Sequence, residues 1–340
     1  MLRRPAATLA TLTCAALALL LSACTTAPRS PHGRVAPALL APAEFWLDLV
    51  EGDEVSDDEV LADLATAGVI FVGEAHTVQR HHDLQLDLLQ KLFLRKIPLV
   101  LCLEQLEARD QPAIDRYNRR EIDLATLAAQ IDWPKQWANY ADYRHLCEFA
   151  RQHHIPLRAL NAPADTIRTV SRGGGLAKLP PNLRAHLPAE IFTDDPVYER
   201  LMNLELAKHL AMDPARLRPV FEAQAARDET MAAAIVAARR IDTAPDQPRT
   251  AFVVLGAGHM RFGLGTAERV RRRDPGIVER LVLLTDSGQG GMTDTQKAQT
   301  RDVPMTHADF RAIGRPPADY VRVLPLASRP TLPPGHPPVP

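Results

Sequence analysis

Aromatic side chains are scarce, at 5% of the 340 residues, cysteines number only 4, and neither sign of charge dominates. Each shortage excludes a class of protein. A formal net charge of −1 and a pI near 6.9 leave no basic footprint for nucleic acid and none for an anionic membrane surface. The cysteines do not stand at the paired spacings of a structural zinc module. The longest apolar run, residues 6–21, is shorter than the roughly 20 residues that a membrane-spanning helix needs. What is present is ordinary globular composition, 46% hydrophobic and 24% charged. The length suits one large α/β domain or two average ones. The basic cluster Arg271-Arg272-Arg273 reads as a solvated helix end.

The beginning of the chain has the pattern of a secretory signal. Arg3 and Arg4 precede the apolar run, which ends in Leu21-Ser22-Ala23-Cys24. That ending resembles a bacterial lipobox, in which the signal, here residues 1–23, is cut before a cysteine that is then acylated. Cys24 is therefore the expected lipid anchor, and several acyl chains on one residue give stable attachment. Thr25 follows in place of an aspartate, which by the usual sorting pattern directs the protein to the outer membrane. Residues 24–43, rich in Pro, Ala, Ser and Arg, read as a tether, and the Pro-rich tail 326–340 reads as disordered. With Cys14 removed and Cys24 modified, the domain between them, 44–325, keeps Cys102 and Cys147, expected as two separate buried thiols.

That domain is organised around Val69-Ile70-Phe71-Val72-Gly73-Glu74-Ala75-His76. Consecutive β-branched and aromatic residues make a strand buried on both faces. Gly73 ends the run, two polar groups follow, and a helical pattern starts near Val78. The same junction recurs. Pro98–Leu103 ends in Glu104, Pro156–Leu160 ends in Asn161, and Ala251–Leu255 ends in Gly256-Ala257-Gly258-His259. Further strands are expected at Glu279–Leu284 and, as a last edge strand, Tyr320–Leu324. Helices are expected after Pro42 (Phe45, Trp46, Leu49, Val50), over Asp57–Ala67 and through much of 110–153. Residues 176–245 carry no strand pattern and read as a helical subdomain inserted between strands. The fold class is α/β, a mostly parallel sheet flanked by helices.

In open parallel sheets, ligands and chemistry sit past the carboxyl ends of the strands. Glu74, His76, Glu104 and His259 should therefore meet there. Two imidazoles and two carboxylates suit a divalent metal such as Zn, Fe, Co or Mn. They equally suit metal-free acid–base chemistry, because clustered carboxylates push their pKa values apart. His81 and His82 follow His76 on a helix whose apolar face cannot hold both, so one should be exposed. Gly256, Gly258, Gly263 and Gly265 surround His259 as a closely approached backbone requires. Gln224, Arg227, Asp228 and Met231 share a helix side, either a solvated face or a lid. Trp133, Trp137, Tyr140 and Tyr143 cluster as either a satellite core or an aromatic wall for a flat ligand.

Gly73-Glu74-Ala75-His76, Glu104, Asn161-Ala162-Pro163, Gln224…Asp228…Met231-Ala232 and Gly256-Ala257-Gly258-His259 with Gly263-Leu264-Gly265 stand in the order of ChaN-like lipoproteins. These are the haem-binding uptake members of the Tiki superfamily, and the resemblance spans about residues 44–285. It implies a lipid-anchored outer-membrane protein for haem or iron acquisition, with Asn161, Gly258 and His259 near the cofactor; a homodimer is compatible with it. The wider superfamily includes metal-dependent hydrolases and proteases whose paired Gly-x-x-His motifs and glutamate map onto His76, His259 and Glu104, which makes a periplasmic hydrolase the rival reading. Relatives often carry a tyrosine three residues after the second histidine, where this chain has Phe262. The substitutes for that iron ligand are Tyr140 and Tyr143.

Overall fold

The structure is a computed structural model that describes residues 44–209, 214–244, 247–286 and 313–324. The signal, Cys24, the tether, the polar loop after Asp286 and the Pro-rich tail lie outside the described residues.

Eight strands form one sheet: β1 (Phe45–Asp48), β2 (Glu54–Val55), β3 (Val69–Glu74), β4 (Leu99–Glu107), β5 (Leu157–Asn161), β6 (Thr250–Gly256), β7 (Glu279–Asp286) and β8 (Tyr320–Leu324). Their order is β2-β1-β8-β7-β3-β6-β4-β5. From β8 to β5 every pairing is parallel, and only β1 and β2 run against their neighbours. The chain leaves β3 for β4 and β5 on one side, and β6 later returns between them before β7 goes to the other side. The reversal falls between β3 and β6, so their carboxyl ends flank the crevice.

All residues of β3, β4 and β6 are buried, as the continuous apolar runs require of strands covered on both faces. Alternation still sorts the side chains. Ile70, Val72, Leu101 and Val254 pack into one core with the helix Gln79–Leu94. Val69, Phe71, Val100 and Val253 pack into the other with Met231, Ala232 and Ile235. The helical insertion between β5 and β6 thus lays its long helix, Pro214–Ala238, directly on the sheet. Local signals set the element ends. Ser56 and Glu59 form a reciprocal capping box at the start of the helix Asp57–Leu64. Gly174, at φ +92, stops the helix Ala164–Gly173.

Three expectations are corrected. Residues 45–48 form β1 and not a helix, because Trp46 turns inward while its neighbours alternate and the backbone pairs with β8. That pairing also makes β8 an interior strand, with β2 at the edge. The arginines at 271–273 are not merely solvated. Arg272 lies 2.7 Å from buried Glu229, Arg273 also pairs with Glu229, and Arg271 pairs with Glu279. Cys102 and Cys147 are free buried thiols, each pushed up to about 12 by burial.

Candidate functional site

β3 delivers Glu74, 3% exposed, to the carboxyl edge. Its Oε1 lies 2.8 Å from His76 Nδ1 and accepts from Gln105 Nε2 at 3.0 Å and from the Tyr143 hydroxyl at 2.5 Å. Its Oε2 accepts from Gln85 Nε2 at 2.6 Å and lies 3.4 Å from His82 Nδ1. His82 and Gln85 are one turn apart on the helix that follows β3, so one helix face supplies both. Gln105 comes from β4, and Tyr143 from the 3-10 turn Tyr140–Tyr143. Burial alone would raise the Glu74 pKa. The bonds from His76, His82 and Tyr143 outweigh it and hold the carboxyl down at about 2. Burial and the adjacent Glu74 carboxylate push the Tyr143 phenol well above its usual range, so it stays protonated and donates.

The second half is built on β4 and β6. Glu104, 2% exposed, accepts from the Gly256 backbone N–H at 2.6 Å and lies 3.2 Å from His259 Nε2. His259 Nδ1 lies 2.6 Å from Asp228 Oδ1. Asp228, fully buried on the long helix, also accepts from Thr266 Oγ1 at 2.8 Å and from the Tyr198 hydroxyl at 2.9 Å. An imidazole thus stands between two carboxylates. Burial opposes its charge, but Glu104 and Asp228 carry its pKa up to about 10. In return, with burial again opposing, His259 and His76 hold Glu104 well below the usual carboxylate range.

The halves meet over Gly256. A Cβ there would lie 2.7 Å from His76 Nε2 and 3.6 Å from Glu104 Oε2, so only glycine lets the His76 ring lie beside Glu104. Gly265, at φ +59, is required in the same way, since a Cβ would come within 2.5 Å of the His259 carbonyl oxygen. These close approaches are made by the chain's own atoms. Gly258 is different: it is exposed, with nothing within 4 Å of a would-be Cβ.

Glu74, His76, Glu104 and His259 therefore gather at one edge, as the strand-end pattern predicts. Among the described residues no group of three or more His, Cys, Asp or Glu is disposed to hold a metal ion. His259 directs both nitrogens at carboxylates and Glu74 is held by several donors, while His76, bonded through Nδ1 alone, keeps its ring partly exposed. Asn161 ends β5 one strand further out, opposite Glu107, with its buried Oδ1 lacking a partner among the described residues. Tyr143 joins the cluster, but Tyr140 turns away, its ring 5.5 Å from Trp133, and lines a separate groove. Both His81 and His82 are buried, contrary to expectation: His81 Nδ1 accepts from the Ala75 N–H at 3.0 Å, and His82 faces Glu74. Phe262 is half-buried at φ +61.

Sequence reasoning missed Gln85, Gln105, Tyr198 and Thr266 as parts of the site and left Asp228 between two readings. The signal for Asp228 was its helical spacing with Met231; both are buried, so that face is a wall of the site.

The arrangement defines a class: an α/β protein with a parallel sheet and a carboxylate–imidazole cluster at the carboxyl edge. A family model described as haem-binding uptake, Tiki superfamily, ChaN, matches residues 60–270. The chain belongs to that family. Among solved structures, ChaN of Campylobacter jejuni with cofacially bound haem is similar, with TM-score 0.59 and 17% identity over 82% of this chain and 96% of that one. At TM-score 0.40, 15% identity and coverage of 71% and 37% stands RRSP, a MARTX toxin effector domain from Vibrio vulnificus. The erythromycin esterase EreC follows at TM-score 0.38, 14% identity and coverage of 71% and 77%. No curated protein matches the sequence.

Proposed function

We propose that this protein is an outer-membrane lipoprotein that binds haem and serves haem or iron uptake. The observation that carries the reading is the family match, which spans every strand from β3 to β6 and both histidine motifs. The C. jejuni structure, a haem-bound ChaN, supports it, as does Leu21-Ser22-Ala23-Cys24. No helix among the described residues is long and apolar enough to cross a membrane, so attachment would fall to an acylated Cys24. The test is a titration of the purified full-length protein with ferric haem, followed by absorbance. A saturable shift of the haem spectrum at one haem per chain is expected. A spectrum identical to free haem at all ratios sinks the reading.

One observation favours a second reading. His259 held between Asp228 and Glu104, with the Glu74–His76 pair alongside, is an arrangement for moving protons, and it supports metal-free hydrolysis of an ester or peptide in the periplasm. Turnover of activated esters by the wild type in the presence of a chelator, abolished in His259→Ala, would mark it. The reading is dropped if the two proteins are equally inert.

A further inference from the structure

On one flank of the carboxyl-edge cluster two buried polar groups of opposite kind lack partners. Asn161, 8% exposed at the end of β5, has its Oδ1 buried with no donor among the described residues. Arg227, half-buried on the helix Pro214–Ala238, has its Nε buried with no acceptor among them, and none of their carboxylates forms an ion pair with its guanidinium. Ala162 and Ala226, their chain neighbours, share one buried cluster. The packing of the long helix on β5 therefore brings Asn161 and Arg227 to the same flank.

The other charges nearby are matched. Glu107, opposite Asn161 in the sheet register, and Asp165 are held by Arg109 at 2.6 and 3.2 Å. Glu104 accepts from the Gly256 N–H and faces His259. Burial opposes the Glu104 charge, and His259, then His76 and Arg227, hold its carboxyl down. Arg227 thus acts on Glu104 through space and keeps its donors, of which a guanidinium has five. An arginine placed only to neutralise the cluster would turn those donors to water, whereas here Nε is buried. Leaving a buried donor and a buried acceptor unbonded is costly, and a ligand that answers both recovers two hydrogen bonds. The approach is open: Gly258 is exposed, with nothing within 4 Å of a would-be Cβ, and the His76 side chain is 35% exposed.

We propose that this flank binds the C-terminal residue of a peptide, its carboxylate on the Arg227 guanidinium and its own amide N–H on Asn161 Oδ1. A guanidinium offers a planar fork of donors that matches a carboxylate. The last residue of a peptide carries its N–H one carbon away from that carboxylate, so a single residue answers both groups. An internal peptide segment has no anion for Arg227, and a simple carboxylic acid has no N–H for Asn161. The site requires neither haem nor turnover and goes beyond both readings above.

The experiment titrates the full-length protein calorimetrically with three probes. They are N-acetyl-trialanine as the free acid, the same peptide amidated at its C-terminus, and an analogue with lactate in place of the last alanine, which puts an ester oxygen where the N–H was. The free acid should bind saturably. Amidation should weaken binding about tenfold or more, and the lactate analogue should bind about fivefold more weakly. Arg227→Met, which keeps an apolar stem, should bind acid and amide alike, and Asn161→Ala should bind the acid and its lactate analogue alike, both with native circular dichroism. Should either variant fail to fold, the ranking of the three probes on the wild type still decides. A wild type that binds none of the probes, or acid and amide equally, overturns the site. A folded Arg227→Met that keeps the preference for the free acid does the same. The haem titration and the ester assay are independent of these results, so the proposal falls separately from either functional reading.

Discussion

The carboxyl-edge cluster and the groove lined by Tyr140 share one short segment, residues 133–143, whose two sides differ in how their polar atoms are satisfied. On the inner side Trp137 sets its ring edge-on to His76 with centroids 4.9 Å apart, Asn139 Nδ2 donates to the His76 carbonyl at 2.5 Å, and Tyr143 donates to Glu74. On the outer side Tyr140 offers an oxygen that nothing in the described chain uses. Several donors gathered on one buried carboxylate hold their members in one geometry, and at the rim of that network the His76 ring, bonded through Nδ1, stays partly exposed. The half-buried Tyr140 has the opposite character, its ring packed on Trp133 with no bond into the network.

The largest effect should come from breaking the cluster at its centre. Glu74→Ala leaves the donors of Gln85, Gln105 and Tyr143 facing a cavity, all of them buried. Removing one partner from a buried charged network costs about 3–5 kcal/mol, a large part of the 5–15 kcal/mol that holds an ordinary domain together. Urea unfolding should show a much lower midpoint at an unchanged slope. A loss below about 1 kcal/mol would mean that the cluster is neither dry nor closed.

Protonation should do the same in milder form. The Glu74 pKa falls from 4.5 to about 2 on folding. A lowered carboxyl pKa contributes stability that is complete above 4.5 and lost as the pH falls from there to about 2. By linkage the loss is of order 3 kcal/mol. Wild type should therefore lose stability more steeply than Glu74→Gln across that window, measured as urea midpoint against pH. Parallel curves would remove Glu74 as a buried, donor-saturated carboxylate.

How much of this was legible in the sequence depends on how far away each partner lies. The strands β3, β4 and β6 announce themselves by unbroken apolar runs, and their polar ends follow from the parallel order, so Glu74, His76, Glu104 and His259 could be placed together in advance. Asp228 could not be placed, because a helix face is readable from spacing only when its neighbour is known, and here the neighbour, His259, lies 31 residues on. Phe45, Trp46, Leu49 and Val50 fit a helical period, and the strand that captures them, β8, is the last in the domain. Local pattern does not contain a pairing of that range. The burial of both His81 and His82 was hidden for a similar reason. The chain turns back at Ala75, giving His81 a backbone donor that no side-chain tally reveals.

The smallest effect is the most discriminating, because it compares the two tyrosines by the same chemical change. Replacing either by phenylalanine keeps the ring and removes one oxygen. At Tyr143 that oxygen donates to an ionised, buried carboxylate, and hydrogen bonds to charged groups contribute about 1.5–3 kcal/mol. At Tyr140 it donates to nothing in the described chain, so the change should stay within about 0.5 kcal/mol, as for a surface substitution. Thermal or urea unfolding without haem should therefore rank Tyr143→Phe well below Tyr140→Phe, which should match the wild type. Equal destabilisation without haem would show that the two sides of the segment do not differ as the bonding indicates.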